Sequence, residues 1–154
     1  MKVMIAALCF LMIGTVSAKP SIFQHDIPLP AMQFLSSGMP NNAPALYMWN
    51  EQGDPISFYD LEGIREAFSE PQAIPEMSLT KQQYQGFTFL ETYLSDKGVW
   101  QQGQKIAVLH VIDPQLSSCP PCQEAEEILV NFFQKNAAES TTEYVLIKTL
   151  MTNE

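Results

Sequence analysis

Lys105–Phe133 reads KIAVLHVIDPQLSSCPPCQEAEEILVNFF. Ile106–Ile112 is apolar except for His110. It has the length of a strand, and its lack of alternation suits a strand covered on both faces. Asp113-Pro114 ends it, because proline cannot continue a ladder. Beyond the thiols, Ala125, Leu129 and Phe132 recur at helical spacing, flanked by Ile128 and Phe133. Glu124, Glu126 and Glu127 occupy the first turns of this helix, where its dipole favours acids. A strand therefore turns into a helix, and Cys119-Pro120-Pro121-Cys122 stands at the turn. Thr141–Leu150 is β-branched and apolar and predicts a closing strand, so the three elements form a right-handed βαβ unit with parallel strands.

Upstream, Gly103 precedes the strand, and Ser78 or Thr80 opens a helix with Phe87, Leu90 and Leu94 on one face and Tyr93 beside them. Lys97-Gly98 stops that helix. Gly86 within it is expected to weaken it by about 1 kcal/mol relative to alanine. Asp60 caps a shorter helix with Leu61, Ile64 and Phe68 on one face, followed by a loop over 70–77. Ala45–Trp49 and Ile56–Tyr59 flank a Gln-Gly-Asp turn and read as a β-hairpin. Residues 19–44, rich in Pro, Ser, Asn and Met, read as an extended arm with a short helix near 31–36. The predicted class is α/β: a small mixed sheet with a hairpin, a helix and a C-terminal βαβ unit carrying CxxC at its helix start. The single domain is expected to span 45–154.

Residues 1–18 read as a secretory leader. Lys2 gives the positive start, Val3–Val16 is almost wholly apolar, and Val16-Ser17-Ala18 offers small residues at a cleavage site. The apolar stretch is short for a membrane span, so the mature chain is expected to be exported, periplasmic or extracellular, with no membrane attachment. Cys9 leaves with the leader, so Cys119 and Cys122 become the only thiols. The formal charge of −9, without any Lys/Arg cluster, argues against binding nucleic acid through a basic patch.

Two cysteines this close enclose too short a loop to stabilise a fold appreciably through chain entropy. Reaction, ligand binding or an incidental local bridge are the remaining roles. At a helix start, free N–H groups and the dipole favour a thiolate. Cys119 is expected to be partly exposed and to attack or be attacked, with Cys122, one turn inward, resolving the mixed disulfide. Protein thiols or disulfides are the expected partners, and no cofactor is needed. The two prolines stiffen the loop and remove two N–H donors, and the following glutamates oppose the thiolate. The same two sulfurs can also ligate zinc.

The segment Val108–Phe133 resembles the active-site strand and helix of thioredoxin-like proteins, of which CPPC is a familiar variant. That family implies a second half, a β-hairpin introduced by a cis-proline facing the cysteines. No proline follows Pro121 here, so the usual order cannot be completed downstream. The element order from Ala45 to Leu150 also resembles the cytidine-deaminase superfamily. That resemblance implies zinc held partly by Cys119 and Cys122, with Glu91 of Phe89-Leu90-Glu91 moving protons. Phe89 occupies the place of the family's His or Cys ligand, and His110 is the substitute third ligand, or a proton partner for the thiols. Each has a plainer reading, His110 as a core or edge histidine and Glu91 as a surface carboxylate. His25 in the arm reads as solvated. Thiol–disulfide exchange is the leading expectation; a deaminase-fold protein, inactive or zinc-binding, and a non-enzymatic secreted partner-binding protein are the alternatives.

Overall fold

The structure is a computed structural model that describes residues 22–70, 72–136 and 144–154. The expected leader, residues 1–18, lies outside the described residues. Among those described, no helix is long and apolar enough to cross a membrane.

The elements in chain order are β1 (His25–Pro30), α1 (Ala31–Ser36), β2 (Ala45–Trp49), β3 (Pro55–Tyr59), α2 (Leu61–Ala67), α3 (Lys81–Asp96), β4 (Lys105–Ile112), α4 (Pro120–Asn136) and β5 (Tyr144–Thr152). One mixed sheet holds all five strands in the order β1-β5-β4-β2-β3. β1, β5 and β4 run parallel, and β2 is antiparallel to both β4 and β3. The expected α/β class, the hairpin and the C-terminal βαβ unit are all present.

β4 lies at the centre and is buried along six consecutive residues, as its unbroken apolar run requires. Its side chains alternate between the two faces. Ala107, Leu109 and Val111 pack with Cys119, Cys122, Ala125, Leu129 and Phe132 of the α4 side, where Ile64 and Phe68 also lie. Ile106 and Val108 pack with Phe87, Leu90 and Leu94 of α3 and Phe34 of α1. The molecule is thus three-layered, with α2 and α4 over one face and α1 and α3 over the other.

Local chemistry accounts for the element ends. Asp60 Oδ1 accepts the Gly63 N–H at 2.9 Å and starts α2. Thr80 and Gln83 form a reciprocal capping box at the start of α3, each satisfying a backbone N–H that the first turn leaves free. Asn50 Oδ1 accepts from the N–H groups of Gln52 (3.0 Å) and Asp54 (2.8 Å) and shapes the hairpin turn.

From residue 22 on, the proline-rich segment belongs to the sheet and core. His25–Pro30 pairs with Ile147–Thr152 as an edge strand, and Leu29, Phe34 and Met39 enter the core. Prolines are tolerated there because an edge strand has one side without ladder bonds, and Tyr93 Oη donates to the Pro28 carbonyl at 2.6 Å.

Gly86 has a purpose that its helix propensity hides. A Cβ at this position would lie 2.8 Å from Cε1 and 3.0 Å from Oη of Tyr47, a fully buried ring packed edge-on against Phe58 and Phe87. Overpacking costs about 1–3 kcal/mol, against a gain of about 1 kcal/mol from better helix propensity. Gly86→Ala is therefore expected to lower stability, read as a lower urea midpoint at unchanged slope. A raised midpoint would show that the Tyr47 ring yields freely.

Candidate functional site

After β4 the chain reverses through a compact turn. Asp113 N–H donates to the Met151 carbonyl (3.0 Å), and the Asp113 carbonyl accepts from Leu116 (2.8 Å) and Ser117 (3.1 Å). Cys119 follows as the residue before α4. Its carbonyl accepts the Cys122 N–H at 3.0 Å and the Gln123 N–H at 3.2 Å. Its Sγ lies 3.2 Å from the same Cys122 nitrogen, so a side-chain acceptor occupies the helix start as a cap does. Pro120 takes the first helical position, where the missing N–H has no intrahelical partner to lose. Cys119 and Cys122 are joined as a disulfide.

Cys119 is 9 % exposed and Cys122 5 %, so Cys119 is nearly enclosed, which corrects the expectation that it is partly exposed. The physical reason is tertiary: both cysteines belong to the core between β4, α2 and α4, while Pro120 and Pro121 face solvent.

Pro44 introduces β2 through a cis Ala43–Pro44 peptide. Asn41 to Pro44, Asp60 to Glu62, Arg65 and Pro121 line one cleft of about 430 Å³. The loop before the hairpin, the start of α2 and the CPPC turn therefore meet at one surface.

The charges around the helix start differ from the sequence expectation. Arg65 of α2 grips Glu124 with two parallel bonds, Nε to Oε1 at 2.7 Å and Nη2 to Oε2 at 2.8 Å, and Nη1 reaches Glu62 at 3.3 Å. The hydrogen bonds from Arg65 hold the Glu124 carboxyl below its usual range, and those to Glu124 raise the Arg65 guanidinium. Lys148 of β5 binds Glu126 at 3.0 Å. Two of the three glutamates expected to oppose a thiolate thus face cations from other elements.

The remaining candidates lie elsewhere. His110 shares the face of β4 with Ile106 and Val108, turned away from the cysteines. It is fully buried, stacks on Phe34 at 4.6 Å between ring centroids, and its Nδ1 lies 3.0 Å from Thr149 Oγ1. Burial pushes its pKa down to about 4. Glu91 belongs to α3, which packs on that same far face through Phe87, Leu90 and Leu94. The sheet therefore separates both His110 and Glu91 from Cys119 and Cys122. As third ligand, proton partner or acid/base group for the two sulfurs, neither is in position. Among the described residues no group of three or more His, Cys, Asp or Glu could hold a metal ion.

Sequence reasoning missed Pro44 and Arg65. Ala43-Pro44 ahead of an apolar run signals a strand start, but nothing local ties it to thiols on a distant helix. Arg65 is one charge on a short amphipathic helix, and its partner across the α2–α4 contact has no sequence signature. Compared with known proteins, the chain matches no family model, no curated protein and no solved structure.

Proposed function

We propose that Cys119 and Cys122 carry out thiol–disulfide exchange with protein thiols or disulfides, in the exported setting, periplasmic or extracellular, that the leader implies. The observation that carries this reading is the pairing of the two sulfurs across the first turn of α4, beside a hairpin that Pro44 introduces. The thioredoxin-like resemblance gains support from the same arrangement. The half expected after the CPPC helix is matched by β2 and β3, which come before it in the chain and lie next to β4 in the sheet. On this reading the two halves stand in exchanged order along the chain.

The chemistry follows from the helix start. A thiolate of a partner dithiol attacks Cys119 Sγ, the Cys119–Cys122 bond breaks, and Cys122 leaves as a thiolate that takes up a proton. The partner's second thiolate then attacks its own sulfur in the mixed disulfide and releases Cys119. The partner ends oxidised by two electrons, and the protein holds them as a dithiol. The released Cys119 thiolate is stabilised by the dipole end of α4 and by the Cys122 N–H. With Cys119 9 % exposed, a partner has only a narrow approach to its Sγ.

Reduction of the oxidised protein by glutathione, followed by alkylation and mass measurement, together with turnover on a disulfide substrate such as insulin, tests this. Wild type is expected to exchange and turn over. Cys119→Ser and Cys122→Ser are each expected to fall to the uncatalysed rate, and Cys122→Ser alone to accumulate a mixed disulfide at Cys119. A wild-type bond that resists glutathione, with turnover equal to that of Cys119→Ser/Cys122→Ser, overturns the reading and leaves a static bridge in a binding protein. Zinc near one atom per chain in the reduced protein would instead favour the deaminase alternative.

A further inference from the structure

Among the described residues, the cleft beside the CPPC turn is lined by one cation, Arg65. We infer that Arg65 is a positioning residue that sets the poise of the Cys119–Cys122 couple by neutralising Glu124 at the start of α4. This inference rests on the thiol–disulfide reading above.

Glu124 falls three residues after Pro121 on α4, and side chains of a helix lean toward its N-terminus. Its carboxylate is thus carried back toward the CPPC turn, in agreement with its Arg65 partner lining the same cleft as Pro121. Left bare, that carboxylate would repel electrons arriving on Cys119. The twin bonds from Arg65, at 2.7 and 2.8 Å, fix a positive charge against it, and a planar guanidinium suits this fork as an ammonium does not. The surrounding charges are few. α2 contributes Asp60 at its cap, Glu62 and Glu66, α4 contributes Glu126 and Glu127, β5 contributes Lys148, and Asp113 follows β4. Lys148 is committed to Glu126 and Asp26, so among the described residues Arg65 is the cation that answers the acids at the CPPC turn.

Reduction places negative charge on Cys119, so a nearby cation favours the dithiol and an uncompensated carboxylate favours the disulfide. Arg65→Gln is expected to lower the equilibrium constant for reduction by glutathione at pH 8 by about threefold, the size of one unit charge acting through largely solvated space. Glu124→Gln is expected to raise it by a similar factor. Arg65→Gln/Glu124→Gln should return close to wild type, and Arg65→Lys should retain most of the wild-type value. The single-variant shifts should shrink in 1 M salt, where the screening length falls to about 3 Å. Thiolate absorbance of the chemically reduced proteins should rank Cys119 acidity in the same order, while thermal midpoints report folding.

Equal constants and equal thiolate titrations for wild type, Arg65→Gln and Glu124→Gln would overturn the inference while leaving the exchange reading intact. A double variant shifted as far as Arg65→Gln alone would also overturn it, because the effect would then come from α2–α4 docking rather than charge. A wild-type disulfide inert to glutathione would overturn the exchange reading, and the thiolate ranking would still decide the role of Arg65.

Discussion

Acidification from pH 7 to pH 4 is expected to lower the unfolding free energy by about 3 kcal/mol through His110 alone. Its imidazole is enclosed between the sheet and α1, stacked on Phe34 and bonded to Thr149, and burial depresses its folded-state pKa to about 4. In the unfolded chain the same group titrates near the ordinary value of about 6.5. Between these values the unfolded chain binds a proton that the folded protein refuses, so stability rises with pH across that window. The contribution is complete above about 6.5 and is lost progressively on acidification, levelling off below about 4. Urea unfolding at several pH values, compared with His110→Gln, isolates it, since glutamine stays neutral and can still bond Thr149. Native carboxylates such as Glu124 lose their pairing at lower pH in both proteins and cancel in the comparison. Parallel stability–pH curves for wild type and variant would show that His110 charges as easily folded as unfolded.

The second large effect concerns the segment that composition alone set apart. Leu29 of β1 is fully enclosed in the layer formed with Phe34, Phe87 and Ile147. Leu29→Ala removes buried methyl groups and leaves a cavity that the edge strand closes only in part, which costs about 2–5 kcal/mol. Leu35 of α1, 65 % exposed, supplies the control: Leu35→Ala should stay within about 0.5 kcal/mol of wild type. If the two variants unfolded at the same denaturant concentration, the segment before β2 would be an appendage and not part of the core.

Much of the architecture was legible because its causes are local. The unbroken run Ile106–Ile112, the acid-led apolar stripe after Cys122, the Asp60 cap and the Asn50–Asp54 turn each act within a few residues, and each stands where its pattern put it; of the two starts offered for α3, Ser78 and Thr80, the cap is Thr80. The site was legible in part. The disulfide pair and its helix start follow from CPPC at a strand-to-helix turn. The near-enclosure of Cys119, the pairing of Arg65 with Glu124 and the arrival of Pro44 beside Pro121 had no local sign. Gly86 reads as a flaw in a helix until the Tyr47 ring beneath it is known.

By itself, then, the sequence determined the βαβ unit, the hairpin and the position of both sulfurs at the first turn of α4, because short-range spacing, caps and proline geometry govern those. Tertiary structure alone decided that residues before β2 add a strand beside β5, that the hairpin lies next to β4, and that His110 and Glu91 fall on the far side of the sheet. Strand order and the choice of covered face depend on how whole apolar surfaces are buried together, and that is a property of distant residues meeting, not of neighbours along the chain.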